Sequence, residues 1–122
     1  MSRSTCPSVV SLLVLLCAAV AAAPAAAHVG VKSYSPARGS TVARPLERVK
    51  VTFKARIVDG RLTVRNSSGT KVSIGKGRVV DHDRVLRVRL KSGLARGRYR
   101  VWMNVLNTDG HVTGKSWTFN LK

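Results

Sequence analysis

Acidic side chains are scarce in this sequence, which has five aspartate and glutamate residues against 22 lysine and arginine residues. General acid–base hydrolysis needs positioned titratable groups that act together. Glu47 and Asp59 stand alone, and Asp81 and Asp83 only flank His82 in a predicted loop. The sequence also lacks a catalytic serine–histidine–acid order and a glycine-rich phosphate loop. We therefore predict that the protein is not an enzyme.

Cysteine is absent after Cys17, and the long apolar run of the sequence ends at Ala22. The rest of the chain can form no internal disulfide, so packing and strand pairing must stabilise it. The run from Val9 to Ala22 is shorter than the roughly 20 apolar residues that span a bilayer. Arg3 precedes the run and an alanine-rich stretch follows it, which is typical of a cleavable secretory signal.

Cleavage after Ala27 would release one domain, residues 28–122, with His28 at its N-terminus. We therefore predict a signal peptide over residues 1–27 and an exported protein, located in the periplasm or extracytoplasmic cell envelope or secreted. Two alternatives remain open from the sequence. Cleavage after Ala25 would place His28 third in the chain, and lipidation at Cys17 would place it further inside, although Leu16 is larger than the residue that a lipidation motif requires.

Positive charge dominates the predicted mature chain, which keeps 21 of the 22 basic residues and all five acidic ones, a net charge of +16. Such a field favours anionic neighbours, namely nucleic acid, lipid head groups or acidic wall polymers. The predicted export argues against nucleic acid. A cationic module that binds anionic envelope polymer or lipid is therefore the main alternative function. Outward cations would also discourage edge-to-edge pairing of strands.

After the predicted signal, apolar and polar residues alternate with a period of two, and no segment shows the periodicity of a helix. The pattern predicts half-buried strands over residues 49–55, 61–65, 85–91 and 116–121, and a central strand over Tyr99–Leu106. Turn sequences separate them, at residues 36–39, 59–60, 66–69, 75–77, 93, 97 and 109–110. We predict an all-β, immunoglobulin-like antiparallel β-sandwich of about seven strands with Greek-key connections.

Two histidines stand out as candidate metal ligands. A terminal His28 would offer its α-amino group and its ring Nδ1 to one ion, and the Asp109-Gly110-His111 segment would add a carboxylate and an imidazole. Nitrogen-rich tetragonal sets of this kind suit copper(II) better than zinc. The Asp-Gly pair also suits an ordinary hairpin turn. His82, between two aspartates, is read as a solvated loop residue and only as a weak second site.

The ends of the predicted domain resemble the CopC family of bacterial copper-handling proteins. The segment from His28 to Ser40 is similar to the opening of that family, and Val49–Phe53 to its next strand. The stretch from Gly97 to Gly114 resembles its strand and Asp-Gly-His turn, and Trp117-Thr118-Phe119 its closing strand. The resemblance covers the whole predicted mature chain.

This resemblance implies one copper(II) ion bound by His28, Asp109 and His111, and a copper carrier or buffer in copper homeostasis or resistance. It also implies a membrane copper-transport protein as partner, and we expect a monomer. Some family members hold copper(I) on methionines, but this chain has only Met103 after the signal, so we expect no copper(I) site. Asn107 occupies a position where the family usually has serine, and we regard this as a minor departure from the family pattern.

A copper-dependent oxidative enzyme is a further alternative, because a terminal and an internal histidine also form the copper brace of polysaccharide monooxygenases. Asp109 would occupy a coordination position that such catalysts keep open. The short chain also leaves little room for a substrate platform, so we rank this alternative below the carrier and the cationic module.

Overall fold

The structure is a computed structural model, and it describes residues 29–122. The predicted signal peptide, both cysteines and His28 lie outside the described residues. Within residues 29–122 the chain forms eight β-strands and no helix: β1 Val31–Ser35, β2 Thr41–Val42, β3 Arg48–Phe53, β4 Ile57–Asn66, β5 Ser73–Val80, β6 Val85–Leu90, β7 Gly97–Asn107 and β8 Val112–Leu121. This part of the chain thus contains no apolar helix long enough to cross a membrane.

The strands form two four-stranded sheets, in the orders β1-β3-β6-β5 and β2-β8-β7-β4. All neighbouring strands are antiparallel except β2, whose two residues pair in parallel with the end of β8. The predicted immunoglobulin-like β-sandwich is confirmed. The five predicted strand segments fall on β3, β4, β6, β7 and β8, and alternation did not reveal β1, β5 or the two-residue β2. β7 lies between β8 and β4, so the prediction of a central strand is also confirmed.

Apolar side chains from both sheets meet between them and form a single core. Within β3, Val49, Val51 and Phe53 are buried while Arg48 and Lys50 are exposed, as the alternation predicted. Burial of a side chain such as valine or phenylalanine contributes roughly 1.5–3 kcal/mol. The core therefore takes over the stabilisation that a disulfide would supply in a domain of this size.

Three predicted turns are wrong, because Asp59-Gly60 and Gly75-Lys76-Gly77 lie inside strands β4 and β5 and Gly97 is the first residue of β7. The pairing register shifts between Ile57 and Asp59, and again between Ile74 and Arg78, so both segments are at or beside bulges. A Cβ at Gly60 would lie 2.7 Å from Leu86 Cδ2, and one at Gly77 would lie 2.7 Å from the Arg87 carbonyl oxygen. Glycine at these positions permits close packing within a sandwich and does not reverse the chain.

Candidate metal centre

The β7–β8 hairpin carries the candidate ligands at its turn. Its ladder runs from the Gly97–Leu121 pair to the Leu106–Val112 pair, so the residues between the strands must reverse the chain at once. The Asn107 N–H donates to the His111 carbonyl oxygen at 2.8 Å, and the Gly110 N–H donates to the Asn107 carbonyl oxygen at 3.0 Å. Gly110 has a φ of 86°, which glycine adopts at little cost. The predicted Asp109-Gly110 turn is confirmed.

Asp109 and His111 lie in contact within this turn. The His111 Nδ1 is 3.1 Å from Asp109 Oδ2, and the His111 backbone N–H donates to Asp109 Oδ1 at 2.9 Å. Metal–ligand bonds of about 2.0–2.1 Å at a right angle would separate two donor atoms by about 2.9 Å. The distance between the carboxylate oxygen and the ring nitrogen is therefore close to the distance expected between adjacent ligands of one tetragonal ion.

Both side chains are open to solvent, with 67% of the His111 side chain and 28% of the Asp109 side chain exposed. An ion held here could exchange with a partner protein without local unfolding. The carboxylate is the less exposed group because the backbone of its own turn covers one oxygen. The arrangement places the two predicted ligands, Asp109 and His111, side by side.

Asn107 positions this turn, a role that the sequence analysis missed. Its side-chain Nδ2 donates to the His111 carbonyl oxygen at 3.0 Å and to Thr113 Oγ1 at 2.8 Å. Asn107 is 1% exposed, and its Oδ1 has no hydrogen-bond partner among the described residues. The sequence could have shown this role, because position 107 continues the inward-facing alternation of Tyr99, Val101, Met103 and Val105. A polar residue at an inward position needs a partner, and here it holds the loop.

The first described residues lie at the same end of the sandwich as the Asp109–His111 turn. The Gly30 carbonyl oxygen accepts a hydrogen bond from the Lys54 N–H at 2.9 Å, directly after β3 ends. Three residues later Ile57 begins β4 and pairs with Asn107. We call this the His111 end; it comprises the turn at residues 108–111, the β3–β4 link at residues 54–56 and the β5–β6 turn at residues 81–84.

His82 also lies at the His111 end, on the β5–β6 turn. The Asp83 carbonyl oxygen accepts a hydrogen bond from the Ile57 N–H at 2.8 Å, and Asp81, His82 and Asp83 have φ values of 51°, 56° and 61°. The predicted loop is confirmed. Among residues 29–122, no three histidine, cysteine, aspartate or glutamate residues lie close enough to hold one ion. Neither turn therefore forms a three-residue site from described residues alone.

Met103 is buried in the core on the inward face of β7, where the sequence pattern placed it. Its sulfur packs among apolar side chains away from both turns. The two ligands that the structure brings together are therefore Asp109 and His111, and the third predicted ligand, His28, immediately precedes the described residues.

The sequence profile of the CopC domain matches residues 31–122. The structure resembles that of CopC from Methylosinus trichosporium OB3b, with a TM-score of 0.66 and 26% identity over 78% of this chain and 94% of that one. It also resembles PcoC, a methionine-rich copper resistance protein from Escherichia coli, with a TM-score of 0.64 and 24% identity over 79% of this chain and 100% of that one. No curated protein sequence matches the chain significantly. Because the profile spans the whole sandwich, from β1 to the end of β8, the chain belongs to the CopC family.

Proposed function

We propose that this protein is an extracytoplasmic copper(II) carrier or buffer in copper homeostasis or resistance, and that it holds one ion through His28, Asp109 and His111. The observation that carries the proposal is the 3.1 Å approach of His111 Nδ1 to Asp109 Oδ2, at the end of the sandwich where the described chain begins. Family membership supports copper as the ion, since the similar PcoC is named as a copper resistance protein.

The donor chemistry favours copper(II) over its competitors. A carboxylate oxygen and an imidazole nitrogen form half of a tetragonal set, and an amine with a second imidazole would complete it with nitrogen donors. Copper(II) also has the highest affinity among the divalent first-row metals for such ligands. Because no thioether or thiolate sulfur lies at this turn among the described residues, the site suits copper(II) and not copper(I).

The proposed role is binding and release without turnover. The exposed His111 ring lets a partner approach the ion, which suits transfer to the membrane copper-transport protein that family resemblance implies. The extracytoplasmic location is inferred from the N-terminal segment, whose apolar run and alanine-rich end are typical of a secretory signal. Processing after Ala27 would free the amine of His28 to act as a ligand.

The first test is to determine the N-terminal residue of the exported protein by mass spectrometry and then to titrate it with copper(II) by calorimetry. We expect His111→Gln to weaken copper(II) binding by at least about tenfold, because even losing a residue that only supports a ligand costs 10–100-fold. His82→Gln is the matched control, since it removes a histidine from the same end of the sandwich. Its affinity should equal that of the unchanged protein.

A second variant tests the terminal chelate by placing one alanine before His28 in the processed protein. The added residue moves the amine away from the ring, so copper(II) affinity should fall and the electron paramagnetic resonance spectrum should change. Equal affinity in this variant would remove the α-amino group of His28, and with it the terminal chelate, from the ligand set. Equal losses in His82→Gln and His111→Gln would remove the Asp109–His111 turn from it.

A further inference from the structure

A groove lies on the sheet β1-β3-β6-β5 and extends to the end of the sandwich opposite the His111 end. It consists of two depressions, of about 910 and 500 Å³, which share Arg48, Ile74 and Arg89 in their lining and are therefore adjacent. Most of its charged lining is basic, and its single acidic residue is Glu47. We call this feature the cationic groove; its basic lining includes Arg44, Arg48, Arg78, Arg87, Arg89 and Lys91.

Strand register places the cations of this sheet directly opposite one another. Arg48 of β3 pairs with Arg89 of β6, Lys50 pairs with Arg87, and Arg87 pairs with Arg78 of β5. Side chains directly opposite on neighbouring strands are about 4.5–5.5 Å apart at Cβ, and like charges there destabilise the sheet. The outer face therefore carries a repulsion that an anion would relieve.

Acidic partners among the described residues do not relieve this repulsion. Between residues 29 and 122, the contacts within 4.0 Å between a basic and an acidic side chain are Lys76–Asp59 and His111–Asp109, and neither involves an arginine of the groove. Lys76 lines the second depression but is engaged by Asp59. The Gly60 N–H, and after it Lys76, lowers the pKa of Asp59 below its ordinary value of 3.8, so this carboxylate stays charged and keeps its lysine.

Protection of sheet edges does not explain these charges. Cationic side chains commonly shield edge strands from unwanted pairing. However, β3 and β6 are the two central strands of their sheet, so Arg48, Lys50, Arg87 and Arg89 guard no edge. A repulsive row on central strands is better explained by a ligand than by the fold.

The shape and lining of the groove indicate the occupant. Two adjacent concave depressions fit a flexible chain better than a flat membrane, and guanidinium groups pair with phosphate through two parallel hydrogen bonds. Ile74 is 49% exposed at the junction of the two depressions, where it pairs with Arg89 and offers an apolar contact between cations. Neither depression is lined by an aromatic side chain, whereas proteins that bind single-stranded nucleic acid stack its bases on aromatic rings.

We propose that the cationic groove binds a linear polyol-phosphate polymer of the cell envelope, such as a poly(glycerol phosphate) chain, with phosphates on the paired arginines and the carbon linkers against Ile74. The groove opens at the end where β3 begins and β6 ends, away from the His111 end. Polymer binding would thus anchor the protein and leave the Asp109–His111 turn free. The inference stands independently of the copper proposal.

The test uses a fluorescent poly(glycerol phosphate) oligomer of about ten units and follows its anisotropy at several salt concentrations. We expect Arg48→Gln/Arg89→Gln to weaken binding by at least about tenfold. The plot of log affinity against log salt should become shallower, with its negative slope reduced in magnitude by about 1.4, the value for two lost phosphate contacts on a single strand. Arg65→Gln/Arg100→Gln is the matched control, because these arginines pair across β4 and β7 on the other sheet and carry the same total charge. The control should change affinity by less than about twofold.

Other ligands and readouts separate the alternatives. Ile74→Ser should weaken binding of poly(glycerol phosphate) and leave that of inorganic polyphosphate, which has no carbon linkers, unchanged. Equal losses of affinity in the two double arginine variants would show that the polymer is attracted by net charge alone, which would contradict specific binding in the groove. Tighter binding of single-stranded DNA, or of phosphatidylglycerol vesicles, would overturn the polymer assignment.

Copper(II) affinity should be unchanged in the groove variants, and their thermal stability should not fall, because a like-charge pair has been removed.

Discussion

At the scale of single residues, Asn107 decides how the two candidate ligands are presented. Its amide ties the His111 carbonyl oxygen to Thr113, so the turn returns into β8 with the His111 ring against Asp109. Asn107, which differs from the serine that is usual in the family, is thus a buried residue that holds the turn in place. Serine has one O–H donor, so it could donate to only one of the two acceptors.

Asn107→Ala should therefore destabilise the protein by about 1–3 kcal/mol, since it removes two side-chain hydrogen bonds from the turn. The lower part of this range is expected, because the variant also removes the Oδ1 that has no partner among the described residues. Copper(II) affinity should fall as well, because the turn loses its fixed geometry. Urea unfolding and copper titration give the two readouts.

Asn104→Ala is the control for this variant, because Asn104 is an exposed asparagine on the same strand. Its effect on the free energy of unfolding should stay within about 0.5 kcal/mol. A similar cost at both positions would mean that Asn107 has no special role in the turn.

At the scale of strands, the bulge in β5 shapes the wall of the cationic groove. Gly75 and Gly77 have φ values of 72° and 99°, and the register shift they create moves Arg78 into line with Arg87. Four steps along β5 match two along β6, so an uninterrupted β5 would place Lys76 instead of Arg78 opposite Arg87. The glycines thus contribute to the charge arrangement of the sheet as well as to its curvature.

Gly77→Ala should cost roughly 2–4 kcal/mol, because it combines a left-handed backbone with a methyl group 2.7 Å from the Arg87 carbonyl oxygen. Gly93→Ala is the matched control, since Gly93 has a φ of 69° but no atom within 4 Å of the added methyl group. It should cost about 1 kcal/mol. Equal losses in urea unfolding would assign the whole cost to backbone strain and none to the close approach.

At the scale of the whole molecule, excess positive charge opposes the folded state. The predicted mature chain carries +16, and many of its cations lie on the outer faces of both sheets. Repulsion of this kind weakens the compact state and is screened as the Debye length falls from about 30 Å at 0.01 M salt to about 10 Å at 0.1 M.

Raising sodium chloride from about 0.01 M to 0.3 M should therefore raise the melting temperature, by about 4–8 °C for each kcal/mol of repulsion screened. The groove variant Arg48→Gln/Arg89→Gln should respond less, because one repelling pair is gone. Circular dichroism during heating gives the measurement. A melting temperature that falls with added chloride would contradict this account of the charge.

Sequence alone determined the features that depend on neighbours within a few residues. Alternation with a period of two predicted β3, β4, β6, β7 and β8 and their buried faces, but not β1, β2 or the glycine-interrupted β5. The single tight turn had to bring Asp109 near His111. The tertiary structure decided what depends on partners distant in sequence: the Arg48–Arg89 pairing, the groove that it lines, and the position of Gly30 at the His111 end. Local periodicity shows which face of a strand is buried, but not which strand lies beside it or in which register, because sheet pairing and core packing select these together.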